Sequence, residues 1–232
     1  MVNDASYRLD GQKGMVIGGA GGIGRAIAVG LAAAGSDVAI ADLASKGPAM
    51  AEVAEEARAQ GAQAMEIAID VTCIPSIEQA VARMVEEFGA VDWMVNCAGV
   101  NVRKPVLDYV EQDWDLMADI NLKGTFFCTQ IVARQMARQH KGRIVNLASQ
   151  LAVVAMRDRS IYAITKAAVA HLSKAFAIEL APLGIAVNAV GPTFVATPLT
   201  QSMFTDPEFI RENLPRIPAG RFGTPEDVLG TV

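Results

Sequence analysis

Met15-Val16-Ile17-Gly18-Gly19-Ala20-Gly21-Gly22-Ile23-Gly24 runs a short apolar stretch into a cluster of glycines and on into the helical pattern that begins Arg25-Ala26-Ile27-Ala28. Glycine there permits positive φ and lets the backbone approach an anion closely. A helix opening near Gly22 turns unpaired N–H groups and the positive end of its dipole toward that anion. Gly18, Gly22, Ile23 and Gly24 are therefore candidate contacts for a pyrophosphate, although a tight strand–helix turn needs glycine for structural reasons too. Asp42, eighteen residues beyond Gly24, ends the next β-rich run. A carboxylate at that point can accept hydrogen bonds from an adenosine ribose and repel a 2′-phosphate, which favours NAD over NADP. The same loop is a near miss for a nucleoside-triphosphate loop: Gly19 to Gly24 has the spacing, but Arg25 and Ala26 stand where Lys and Ser or Thr are required.

Outward from this loop the chain alternates short β-branched runs with helical stripes. The runs are Met15–Ile17, Asp37–Ala41, Gln63–Ile69, Val91–Val95, Arg143–Leu147 and Ile185–Val190. Between them, Met50, Val53, Ala54 and Ala57 share one helix face, as do Ile77, Ala80, Val81, Met84, Val85 and Phe88. Alternation of this kind predicts right-handed βαβ crossovers and a doubly wound, Rossmann-type α/β fold, a parallel sheet with helices on both faces. Residues 1–232 read as one dinucleotide-binding and catalytic domain. Ser160–Ala181 has only Lys166, Lys174 and Glu179 as charges. Such a helix is either a core helix or a subunit interface, and the interface is favoured.

Composition narrows the function. Twenty-five acidic residues outweigh twenty basic ones for a net charge of −5, unlike a nucleic-acid binder. Hydrophobic residues make up 52% and charged residues 19%, enough for a buried core. Cys73, Cys97 and Cys128 are odd in number and widely spaced, so they are expected as small buried hydrophobes and not as a disulfide or metal set. Two histidines rule out a His-rich metal centre. Leu180–Thr205 carries no charge, but Pro182, Pro192 and Pro198 interrupt it, so no membrane helix is expected there. The N-terminus lacks the apolar stretch of a signal peptide, and a cytoplasmic protein is expected.

The candidate chemistry lies in Ser149 and in Tyr162-Ala163-Ile164-Thr165-Lys166. Tyr162 and Lys166 are four apart, hence on one helix face. An ammonium beside a phenol is expected to lower its pKa and suit it to proton transfer. Ser149 follows a predicted strand, at the sheet edge where ligands bind in open α/β folds. No GxSxG stretch is present, which removes an α/β-hydrolase.

Ser149 thirteen residues ahead of a YxxxK pair, together with the GxxxGxG loop, resembles the short-chain dehydrogenase/reductase family. The likeness runs from about Tyr7 onward. Asp70-Val71 matches that family's adenine-contacting pair, and Asn96-Cys97-Ala98-Gly99 is similar to its NNAG segment. Asn121 matches its helix asparagine, and Pro192-Thr193-Phe194-Val195-Ala196-Thr197 its PGxVxT segment beside the nicotinamide. The resemblance implies that Tyr162 is the general acid/base and that Lys166 holds the nicotinamide ribose and depresses the Tyr162 pKa. Ser149 would hydrogen-bond the substrate oxygen, and Asn121 would anchor a water of the proton relay. It implies cofactor contacts from Asp70, Val71, Asn96, Ala98, Gly99, Pro192, Val195 and Thr197 as well, and it implies a homotetramer or dimer without a metal.

Ile17, Cys97 and Thr193 depart from the usual motif residues. The family also continues past Arg221–Val228 with a helix, a last strand and a tail, whereas this sequence stops at Val232. The substrate is expected between the loop after Gly99, the residues after Ser149, and Pro198–Pro215. Arg103 and Gln150 are its candidate contacts, with Arg157 and Arg159 as further polar residues nearby. Arg103 leans the reading to a sugar acid or polyol. Met203, Phe204 and Phe209, in the lid candidate Thr200–Asn213, would equally suit an apolar ketone. A 3-oxoacyl-type NADPH-dependent reductase and a non-catalytic NAD-binding sensor remain as alternatives.

Overall fold

The computed structural model describes residues 7–198 and 200–232. Six strands form one parallel sheet: β1 (Lys13–Ile17), β2 (Asp37–Asp42), β3 (Ala64–Ala68), β4 (Trp93–Asn96), β5 (Gly142–Leu147) and β6 (Ile185–Val190). Their order is β3-β2-β1-β4-β5-β6, the doubly wound Rossmann arrangement expected from the sequence. Observed and expected strands differ by a residue or two at their ends, where ladder pairing fades.

Side chains of β1 alternate between two cores, which is why the strand reads as a continuous apolar run. Met15 and Ile17 face a cluster with Ile77 and Met84 of α3 (Ile74–Phe88) and Val132 and Met136 of α5 (Thr125–Gln139). Val16 faces the opposite cluster, with Ile27 of α1 (Gly22–Ala33) and Met50 and Val53 of α2 (Gly47–Ala59). Each such buried side chain contributes about 1.5–3 kcal/mol. Both predicted helix stripes lie on these cores. The exception among the cysteines is Cys73, which is exposed at the start of α3, while Cys97 is half-buried and Cys128 buried. Cys73 is the extended residue just before the first turn of α3, and its side chain makes no capping hydrogen bond.

Helix α4 (Glu111–Met117) leads through a π-helical turn, Ala118–Gly124, into α5. Helix α6 (Ser160–Leu180) packs Ile161, Thr165, Lys166, Val169 and Ser173 inward and leaves Ile164 and Ile178 exposed. Two short helices follow, α7 (Pro207–Asn213) and α8 (Pro225–Leu229), and Leu229 of α8 seats against Gly30 of α1. A parallel bridge between Val195 and Gly223 holds the segment after β6 in place. The order in which strands are added to the sheet reverses between β1 and β4, and the crevice at their carboxyl ends is where a doubly wound sheet receives a ligand.

Candidate active site

A cavity of about 1020 Å³ opens at the carboxyl edge of the sheet. One end is walled by the loop from Gly18 to Gly24. Gly18 has φ +78°, and a Cβ there would press on the Ala98 backbone, so β1 and the loop after β4 meet only through a glycine. Gly21, extended, caps α1 without a side-chain hydrogen bond, which leaves the first N–H groups of the helix open to the crevice. At Gly24 a Cβ would run into the Gly18 carbonyl oxygen. Gly24→Ala is expected to cost about 1–3 kcal/mol of stability by overpacking, read as a lower urea midpoint, and an unchanged midpoint would contradict the contact. Arg25, which stands in the position of a phosphate-reaching lysine, turns away and pairs with Glu56 on α2.

Asp42 closes β2 at the same end. One carboxylate oxygen accepts from the Ala20 N–H at 3.1 Å and the other from the Leu43 N–H at 2.8 Å, so the glycine loop and the carboxylate are one unit. Lys46, exposed, also lines this end, and nothing in the sequence patterns singles it out. Asp70 follows β3 and accepts from the Thr72 N–H and hydroxyl, which hold its carboxyl below the usual range. Asp70, Val71, Ala98, Gly99, Pro192, Val195 and Thr197 all line the cavity.

Ser149, Tyr162 and Lys166 meet at the other end. Ser149, two residues past β5, accepts from the Leu151 N–H at 3.2 Å and thereby starts the turn Gln150–Ala152. Lys166 is buried. Its ammonium donates to the Leu147 carbonyl at 2.6 Å and lies 5.7 Å from the centre of the Tyr162 ring. Burial pushes the Lys166 pKa down to about 8, against a weaker opposing effect of Cys97. The Cys97 thiol is pushed up to about 12 by burial.

The expectation that Lys166 depresses the Tyr162 pKa is corrected here. Burial raises the phenol above its ordinary value, and the facing Ser149 hydroxyl and the Arg159 charge pull it back; Lys166 does not. The ammonium is directed at a backbone carbonyl and is itself held in a dry setting.

Two of the expected site residues stand behind the wall, not in it. Asn121, in the π-helical turn, is wholly buried. Its side chain accepts from the Val100 N–H at 2.8 Å and donates to the Val100 carbonyl at 2.9 Å and the Thr165 hydroxyl at 3.2 Å. Asn96 is buried at the end of β4, and its side-chain amide oxygen, Oδ1, accepts from the Ala98 N–H at 3.3 Å.

At the substrate end, Arg103 and Gln150 line the cavity. Lys104 instead pairs with Asp113 at 2.6 Å, and Thr193 donates to Gln150 at 2.8 Å. Arg157 is exposed and points elsewhere, whereas Arg159 and Met203 line the cavity. Of the lid candidate Thr200–Asn213, Thr200, Ser202 and Met203 line the cavity, and Met203 is the one of its three named apolar residues that does. Phe204 and Phe209 are taken up in a cluster of aromatic rings with Phe194 and Phe222, at centroid separations of 4.6–6.2 Å.

The family model described as short chain dehydrogenase matches residues 13–208. A 3-oxoacyl-[acyl-carrier-protein] reductase of Staphylococcus epidermidis is 38% identical over 95% of this chain and 89% of its own. A 2-dehydro-3-deoxy-D-gluconate 5-dehydrogenase of Dickeya dadantii is 35% identical over 97% and 88%. Among solved structures, a gluconate 5-dehydrogenase from Burkholderia cenocepacia, in complex with NADP and tartrate, superposes with TM-score 0.92 at 32% identity, over 97% of this chain and 88% of that one. With a family match over most of its length, the chain belongs to the short chain dehydrogenases, oxidoreductases that use a nicotinamide cofactor.

Proposed function

We propose that this protein is an NAD-dependent dehydrogenase that interconverts a secondary alcohol and a ketone, with a sugar acid or polyol as substrate. The observation that carries the reading is one cavity with the glycine loop and Asp42 at one end and Ser149, Tyr162 and Lys166 at the other. The residues fit a dinucleotide: an uncapped helix start faces the crevice, and a carboxylate is fixed beside it.

In this reading the open N–H groups at Gly22, Ile23 and Gly24 bind the pyrophosphate, and Asp42 accepts from the adenosine ribose. Asp70, Val71, Ala98 and Gly99 line the adenosine side, and Pro192, Val195 and Thr197 the nicotinamide side. NAD, when bound, supplies or receives the hydride. Tyr162 holds and moves the proton at the substrate oxygen, and Ser149 Oγ donates a hydrogen bond to that same oxygen. Lys166 spends one of its three N–H donors on Leu147 and turns the others to the cofactor ribose. Asn121 is a positioning residue: it fixes Val100 against Thr165, and with them the wall that carries Gly99 and Lys166. Asn96 supports Ala98 in the same way. Exposed Ile164, Ile178, Phe126 and Trp114 support a homo-oligomer that would cover them.

The sugar-acid lean rests on Arg103 and on the gluconate-type relatives; the 3-oxoacyl reductase relative keeps an acyl ketone as the second substrate reading. Lys46 at the mouth favours a second cofactor reading, NADP, because its ammonium could face a 2′-phosphate. The fixed Asp42 carboxylate is nearer the loop and carries the opposite charge. Wild type is expected to prefer NAD in kcat/KM, and Asp42→Ala to shift the NADP/NAD ratio at least about tenfold toward NADP. A wild type that prefers NADP would overturn the cofactor assignment.

A further inference from the structure

Arg159 is the buried charge that the reading above leaves unused. It is only 5% exposed, yet it lines the cavity beside Tyr162, Gln150 and Met203. Among the described residues no carboxylate lies within 4.0 Å of its guanidinium, and its hydrogen-bond contact is the Met203 sulfur at 3.9 Å, a weak acceptor. Buried arginines are ordinarily paired, because an isolated charge in a dry site is costly. Burial, and after it the charge of Arg103 at the more exposed cavity mouth, hold the Arg159 pKa below the ordinary arginine range, against weaker opposing effects of Tyr162, Asp158 and Tyr109.

The backbone is built to keep this arrangement. Asp158, just before Arg159, has φ 61°, a left-handed conformation that a non-glycine residue adopts at a cost. Its carbonyl is held by the Lys104 N–H at 3.2 Å and by the Tyr109 hydroxyl at 3.2 Å. The single Tyr109 hydroxyl proton is shared between that carbonyl and the nearer Val102 carbonyl at 2.9 Å. Tyr109 thus pins the loop carrying Arg103 to the turn carrying Arg159, and two like charges converge on the space next to Ser149 and Tyr162. Lys104, the other cation of that loop, is neutralised by Asp113 and takes no part.

We infer that Arg159, with Arg103 at the rim, is a binding site for a carboxylate on the substrate itself, seated one side of the reacting carbon. The inference rests on the dehydrogenase reading and narrows it: an acid, not a neutral polyol, fills the pocket. One largely buried guanidinium with a fork of donors matches a single planar carboxylate. Leu151, Met156 and Met203 make part of the wall around it apolar.

The test is equilibrium binding to the NADH-loaded protein, with D-gluconate, its neutral counterpart D-glucitol and glucitol 6-phosphate as probes. Wild type is expected to bind the acid in preference to the neutral polyol. Arg159→Gln should cut that preference at least about 30-fold, and Arg159→Lys, which keeps the charge but loses the fork, should retain part of it. A purely structural role would weaken both probes alike and leave the ratio unchanged. Equal wild-type affinity for acid and polyol, a preference that survives in Arg159→Gln, or a preference for the phosphate over the acid would each overturn the proposal. An acid that binds through Arg159 while no alcohol is oxidised would leave the carboxylate site standing and remove the dehydrogenase reading instead.

Discussion

Tyr162→Phe is expected to lower kcat by about 10²–10⁴-fold while NADH still binds, because it removes one hydroxyl and little of the cavity surface. The phenol sits where burial raises its pKa above the ordinary 10.0, with Ser149 and Arg159 pulling it back. At neutral pH Tyr162 is therefore protonated and ready to donate to a carbonyl, so reduction should be well supported there. Alcohol oxidation needs the opposite proton movement and should quicken as pH rises toward the alkaline range. Initial rates in both directions across pH, for wild type and Tyr162→Phe, check both statements. Turnover retained in the phenylalanine variant would remove Tyr162 from its assigned role.

Replacing Lys166 should produce the second large effect, and it has two separable readouts. Lys166→Met should reduce kcat/KM by at least about 100-fold, with weaker cofactor binding, since the buried ammonium sits at the junction of Leu147, Gly99 and the Tyr162 ring. The second readout is stability against pH in the absence of cofactor. Burial depresses the folded-state pKa to about 8 from 10.5, so the unfolded chain binds this proton more tightly. Stability therefore rises as pH increases between those two values and is lost again as pH falls through about 8. The gap in unfolding free energy between wild type and Lys166→Met should change by on the order of 3 kcal/mol across that window. Denaturant midpoints for both proteins at several pH values would show it, and a gap that does not vary with pH would contradict the burial of the charge.

Much of this was legible because it depends on local pattern. The apolar run at Met15–Ile17 followed by glycines, and the stripes on α2 and α3, are short-range signals of burial on a sheet, and they led directly to the topology. Asp42 was legible from its spacing. What could not be read was which atoms end up facing one another across distant segments. Tyr162 and Lys166 share a helix face, but that the ammonium would turn to the Leu147 carbonyl depends on where β5 ends. Asn121 matched a motif, yet its wholly buried side chain follows from a π-helical turn that no residue pattern announces. Arg159 is one charge among three in Arg157-Asp158-Arg159, and only the left-handed turn at Asp158, pinned by Tyr109, sends it inward while Arg157 stays in solvent. The lid aromatics, Phe204 and Phe209, had an apolar partner other than substrate, namely Phe194 and Phe222 from flanking loops.

The central claim is that this cavity transfers a hydride between NAD and a secondary alcohol, with Tyr162 moving the proton. The most direct measurement is the initial rate of NADH formation from NAD across sugar acids, polyols, simple secondary alcohols and 3-hydroxyacyl esters, with Tyr162→Phe run beside wild type. Saturable NADH formation with a sugar acid, nearly abolished in Tyr162→Phe, is the predicted result. Binding of NADH with no turnover of any member of the panel, or turnover that the phenylalanine variant shares, would contradict it.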